Sequence, residues 1–156
     1  MPIFEKRSRI AAPPARVFAF HALPDAFERL TPPWEHVRVI EKTPGLQVGV
    51  KVVVETRVGP IKQRLVAEHV AYEEGVMFRD RMTGGPFAQW EHTHRMEPDG
   101  AGGTILVDHI AYALVLGMLG QLGGGWYARR KLERMFDYRH EVTRRACEAE
   151  GEDFPR

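Results

Sequence analysis

Cysteine is almost absent from the chain. Cys147 is the only one in 156 residues, so no intramolecular disulfide can form and no zinc site can be built from several thiolates. An excess of charge of one sign is missing as well. Twenty-two Lys and Arg stand against 21 Asp and Glu, a formal net charge of +1. Such a balance gives no overall field to attract nucleic acid, and the cluster Arg129-Arg130-Lys131 reads as a solvated helix face. Long apolar runs are lacking too: the longest, residues 110–120, is too short to span a bilayer and holds glycines. The opening MPIFEKRSRI alternates apolar and charged residues, without the apolar centre of a signal peptide. These absences lead to the expectation of a cytoplasmic protein with no integral membrane segment and no nucleic-acid partner. No repeat, low-complexity stretch or linker divides the chain, so one domain over residues 1–156 is expected.

What is present suits a packed core: 44% of residues are hydrophobic and 28% charged. Residues 2–10 read as a strand that ends at Ala11-Ala12-Pro13-Pro14. Pro14 fits the first turn of a helix, where its missing N–H costs nothing, and 15–21 supplies that helix. Asp25 is a plausible N-cap for a second short helix at 26–30, which Thr31-Pro32-Pro33 breaks. Strand signals follow at 37–42, 50–58, 61–72, 76–82, 87–97 and 104–114. The turns between them include Gly59-Pro60, Thr83-Gly84-Gly85-Pro86 and the strong hairpin signal at 98–103. Short connections make the strands antiparallel neighbours. After a glycine-rich apolar loop at 117–125, residues 126–149 contain no Gly or Pro. Ala128, Leu132, Met135, Phe136, Val142 and Ala146 share one face there at 100° per residue, so the chain should end in a long amphipathic helix. The fold class is therefore α+β: a curved antiparallel sheet of about seven strands around a long C-terminal helix, with two short helices after the first strand. A straight helix cannot touch a concave sheet along its whole length, and the gap left between them is a cavity.

Alternation along the strands decides which side chains face that gap. In 87–97 one face carries Ala88, Trp90, His92, His94 and Met96, against Gln89, Glu91, Thr93, Arg95 and Glu97 on the wet face. The same reasoning turns Val76, Phe78, Asp80 and Met82 inward, together with Leu106, Asp108, Ile110, Tyr112 and Leu114. In 61–72 it turns Gln63, Leu65, Ala67 and His69 inward. The two histidines are either core residues bonded to their neighbours or the polar end of an apolar pocket. On the helix, Arg139 falls within the apolar arc. A guanidinium there must reach a carboxylate, Asp80 or Asp108, or lie in a wet cavity where it can bind a carboxylate, phenolate or carbonyl of a ligand. His92 and His94 are spaced acceptably for two metal ligands, with Asp108 or His69 as a third, but that signal is weak and no metal or other cofactor is expected. Cys147 has no base beside it and reads as an inert thiol. Trp34 and the loop 116–125, with Met118, Leu119 and Leu122, could border the cavity mouth, pack at the edge of the core or form a homodimer contact.

The junction Ile10-Ala11-Ala12-Pro13-Pro14-Ala15-Arg16-Val17-Phe18 and the element order resemble the START-like (SRPBCC) helix-grip superfamily, in its polyketide cyclase/dehydrase-like branch. Leu30-Thr31-Pro32-Pro33-Trp34, Gly84-Gly85-Pro86-Phe87 running to Trp90-Glu91-His92-Thr93-His94, and Arg134 through His140 resemble a bacterial subgroup of ligand-binding members. Related domains there are fused to sugar-nucleotide epimerase-like proteins. The resemblance implies a cavity for a small hydrophobic or amphipathic molecule such as a lipid; it names no ligand and transfers no catalytic motif. Two functions stay open. One is ligand binding, with Asp80, Met82, Trp90, His92, His94, Asp108, Tyr112, Phe136 and Arg139 as the candidate contacts. The other is a cofactor-independent polyketide cyclase, aromatase or dehydratase, in which His92 or His94 acts as general base.

Overall fold

The computed structural model describes residues 1–58, 60–84, 87–114, 117–149 and 154, with the side chains of 58 and 117–123 left aside. Strand β1 (Ile3–Ile10) leads into two short helices, α1 (Pro14–His21) and α2 (Ala26–Arg29). Six strands follow: β2 (Val37–Lys42), β3 (Lys51–Val58), β4 (Ile61–Glu73), β5 (Met77–Thr83), β6 (Phe87–Pro98) and β7 (Thr104–Leu114). Helix α3 (Gly117–Glu148) is the last of the described elements. The seven strands form one antiparallel sheet in the order β1-β7-β6-β5-β4-β3-β2. Every neighbour except β1 is next in sequence, as short hairpins require; β1 completes the sheet on the far edge of β7.

Pro14 occupies the start of α1, as its fixed φ favours. Asp25 stands at the N-cap of α2, but its side chain makes no capping bond. The largest departure concerns α3, which begins at Gly117, nine residues before the expected start. The segment 117–125 is helix and not loop. Each glycine disfavours helix by about 1 kcal/mol relative to alanine. Extending an existing helix costs far less than nucleating one, and the glycine-free part supplies the nucleus. The side chains of Met118, Leu119 and Leu122, and the turn residues Gly59, Gly85 and Pro86, lie outside the described set.

Helix α3 packs most closely on β1, β7 and α1. Among its described side chains the buried positions are Leu132, Phe136, His140, Thr143, Ala146 and Cys147, mostly at a three–four spacing, while Trp126 is exposed. Two apolar clusters result. Ile10, Phe18, Phe20, Met96, Leu106 and Ala146 form one; Phe4, Trp90, Ile110, Tyr112, Leu132 and Phe136 form the other. Between them, β6, β7 and α3 each place polar residues at the same level: His92 and His94, Asp108, and His140. Because the helix leans on the β1–β7 side, the concave face of β3, β4 and β5 is left uncovered by it, and a cavity of about 600 Å³ opens there.

Candidate functional site

The cavity is walled mostly by aliphatic and aromatic side chains. Val52 and Val54 come from β3, Leu65 and Ala67 from β4, and Leu132 and Met135 from α3. Its volume lies within the range of about 300–1,000 Å³ usual for small-molecule pockets. One β-bulge corrects the sequence reading here. The β6–β7 register slips between Phe87 and Gln89, so Ala88 is exposed and Phe87 takes the inward position beside Trp90.

The polar end is built by register. Antiparallel pairing sets His69 opposite Asp80, Asp80 opposite His92, and His94 opposite Asp108. Asp108 is the centre of the cluster and is 3% exposed. Its Oδ1 accepts from His92 Nε2 at 2.7 Å, and its Oδ2 accepts from His140 Nε2 at 2.6 Å. His94 Nδ1 also lies 2.7 Å from Asp108 Oδ1, but at an angle that makes no hydrogen bond. On the cavity side, Asp80 Oδ2 stands 3.4 Å from His92 Nδ1 and 3.6 Å from His94 Nε2. His94 is stacked on Phe78, with ring centroids 4.1 Å apart, which fixes its plane.

Electrostatics follow from this geometry. Burial opposes charge on His92, but the hydrogen bond to Asp108 and the attraction of the Asp108 and Asp80 carboxylates outweigh it and push its pKa up to about 9. Burial likewise opposes ionisation of both carboxylates, and the surrounding imidazoles overcome it, holding both well below the usual carboxylate range. His21, by contrast, is held neutral: burial, then repulsion from His94, pulls its pKa down to about 4, and its Nδ1–H donates to the Val17 carbonyl at 2.8 Å. His69 is lowered by burial and is bonded through Nδ1 to the Leu46 carbonyl oxygen at 2.7 Å.

Arg139 lines the same cavity, half-buried. Its Nε donates to the Leu30 carbonyl at 3.2 Å, and its guanidinium lies 5.1 Å from the Phe136 ring centroid. Among the described residues no carboxylate comes within 4.0 Å of it, so the ion pair with Asp80 or Asp108 does not form. Burial lowers its pKa against the attraction of Asp108, Asp80 and Glu35. The cavity's lysines differ: Lys42 is paired with Glu28 and Lys131 with Glu35.

Of the residues singled out in the sequence, Asp80, Met82, Trp90, His92, His94 and Arg139 meet at the cavity wall, as does His69. Asp108, Tyr112 and Phe136 are buried behind that wall and do not line it. Asp108 is screened by the two histidines it holds, while Tyr112 and Phe136 fill an apolar cluster. Trp34 packs edge-on against Tyr138 and under Arg134 and is not part of the wall. Cys147 is buried in the other cluster. Two residues of the site were missed, His140 and His21. The signal was present: His140 lies four residues after Phe136 and three before Thr143, on the buried face of α3, and His21 follows Val17 by four.

The sequence matches, over residues 1–148, the family described as polyketide cyclase / dehydrase and lipid transport. The chain belongs to this family. Solved structures share its helix-grip architecture, a curved antiparallel sheet closed by a long C-terminal helix. A START superfamily protein from Mycobacterium smegmatis is 11% identical with a TM-score of 0.68, over 94% of this chain and 97% of that one. The Zhui aromatase/cyclase from Streptomyces sp. R1128 is 17% identical with a TM-score of 0.65, over 97% and 99%. A nucleoside-diphosphate sugar epimerase from Corynebacterium glutamicum is 23% identical with a TM-score of 0.66, over 90% of this chain but 28% of that one. These identities establish the fold that family members share and do not extend to cargo or reaction. No curated protein matches the sequence significantly.

Proposed function

We propose that the protein binds a small amphipathic molecule with an apolar body and an anionic or strongly accepting head, held in the cavity between the sheet and α3. The observation that carries this reading is the contrast between the cavity's apolar wall and Arg139, a half-buried guanidinium with no carboxylate partner among the described residues. Burying such a cation costs free energy that only an anion or a set of oxygen acceptors recovers. A ligand carboxylate, phenolate or carbonyl meeting the guanidinium's fork would do so. The family's description, which includes lipid transport, points the same way.

His92 gains no support as a general base from this arrangement. Both of its nitrogens face carboxylates, whose charges favour the protonated ring.

Calorimetric titration with matched pairs tests the proposal: a medium-chain fatty acid against its methyl ester, and an aromatic carboxylic acid against its amide. The acids are expected to bind with one molecule per chain. Arg139→Gln is expected to weaken the acids at least tenfold while leaving the neutral partners within about twofold, since a charge-assisted hydrogen bond is worth about 1.5–3 kcal/mol. Equal loss for acids and neutral analogues, or no binding of either, would contradict it.

A further inference from the structure

Three of the polar side chains that face the cavity, Asp80, His92 and His94, are spaced unlike hydrogen-bonding partners. Around Asp108 the contacts are 2.6–2.7 Å. Around Asp80 they are 3.4 and 3.6 Å, and no hydrogen bond joins them. One ring nitrogen of His92, one of His94 and an Asp80 oxygen all lie within 4.8 Å of one another. Ligand atoms at about 2.0–2.1 Å from a tetrahedral zinc ion stand about 3.3–3.4 Å apart, so the longer spacing is that of donors around a shared ion.

The geometry points to a divalent transition-metal site formed by Asp80, His92 and His94 at the polar end of the cavity, with Asp108 behind the two imidazoles and hydrogen-bonded to His92. Two further observations support it. His92 Nε2 donates to Asp108 at 2.7 Å, and His94 Nδ1 lies against the same carboxylate at 2.7 Å without a hydrogen bond. A carboxylate bonded behind a ring fixes which nitrogen is free, the arrangement that orients metal-bound histidines in general, and here it orients His92. The rings are also locked by packing: His94 on Phe78, His92 edge-on to Phe136 and to Trp90.

A divalent ion there would offset the charges of the two buried carboxylates, Asp80 and Asp108. The donor set of two imidazoles and one carboxylate suits zinc and its first-row neighbours, and not calcium or magnesium, which demand more oxygen atoms. The third ligand is thus Asp80, in place of the Asp108 or His69 that spacing along the chain suggested. His69 is taken up by the Leu46 carbonyl, and Asp108 is spent on orienting His92. With three protein ligands a fourth position remains toward the cavity, on the side Arg139 also lines, so a cargo oxygen could meet both cations.

The test uses the full chain, stripped with chelator and with no organic ligand present, so its outcome is independent of whether the cavity binds an amphipathic acid. Zinc uptake is measured by competition with a chromophoric chelator, and cobalt(II) is added as a spectroscopic probe. Wild type is expected to bind one ion per chain and to give the intense visible bands of four-coordinate cobalt. Asp80→Asn and His94→Gln, each checked for cooperative unfolding, are expected to lose at least tenfold in affinity. His109→Gln, on the outer face, is expected to bind as wild type does. Substoichiometric uptake by wild type overturns the inference, as does unchanged affinity in either Asp80→Asn or His94→Gln. If one of these two variants fails to fold, the other decides.

Discussion

Asp108 shows how much a single buried charge can organise. One carboxylate accepts hydrogen bonds from His92 on β6 and His140 on α3 and lies against His94, tying three elements to one point. Removing one partner from such a buried charged set leaves the others uncompensated, a loss of about 3–5 kcal/mol. Asp108→Ala is expected to destabilise the protein by that amount in urea unfolding. Glu133→Ala, which removes only an exposed helix pair with Arg129, is expected to change stability by less than about 1 kcal/mol. Similar losses for both would mean that the buried cluster contributes little. At this scale the sequence was partly legible. Strand alternation turned Asp80, His92 and His94 inward correctly, because a two-residue period has only two outcomes. It could not say that Arg139 would be left without a carboxylate, since that depends on distances between α3 and the sheet. It missed His140 because the apolar face of α3 was traced from apolar residues alone.

Among the elements, the β6–β7 hairpin is the clearest link from sequence to structure. Pro98–Gly103 reads as a turn, and the turn is built around Asp99. Its Oδ1 accepts from the amides of Ala101 and Gly103 at 2.8 Å each, and its Oδ2 accepts from Arg9 Nε at 2.8 Å. Gly100 and Gly102 take φ of 79° and 86°, which other residues adopt at a cost. The amide of Ala101 first, then that of Gly103 and the Arg9 charge, hold the Asp99 carboxyl below its ordinary range against slight burial. A depressed folded-state pKa contributes stability above the unfolded value, and that contribution is lost as pH falls through the folded one. The stability difference between wild type and Asp99→Ala is therefore expected to be constant from neutral pH down to about pH 4 and to shrink below it. Denaturant titrations across that range check this; a difference that grows on acidification would contradict it. The elements themselves were readable because periodicity and turn residues are local signals. The early start of α3 at Gly117 was not, because helix extension through glycines depends on the turns that follow. The bulge at Ala88 was not either, since no residue type there announces it.

For the molecule as a whole, the cavity arises from a mismatch of shapes. A long helix leaning on β1 and β7 cannot also cover β3 to β5, and the difference is space. Filling that space should abolish binding without harming the fold. Ala67, on β4, lines the cavity, and Ala67→Phe adds bulk where no core side chain has to move. Overpacking a filled core costs about 1–3 kcal/mol. Here stability is expected to stay within about 1 kcal/mol of wild type, while affinity for an amphipathic acid falls at least tenfold. Strong destabilisation with unchanged binding would place the cargo elsewhere.

Methyl resonances of the methionines test the cavity most directly. Met82 and Met135 line it from opposite sides, sheet and helix, whereas Met96 is 2% exposed in the apolar cluster beyond the histidines. Titrating a methyl-labelled sample with a medium-chain fatty acid is expected to shift Met82 and Met135 together, saturating at one equivalent, with Met96 nearly still. If neither Met82 nor Met135 responds while the acid demonstrably binds, the acid is not held between sheet and helix, and this result would contradict cargo binding in the cavity.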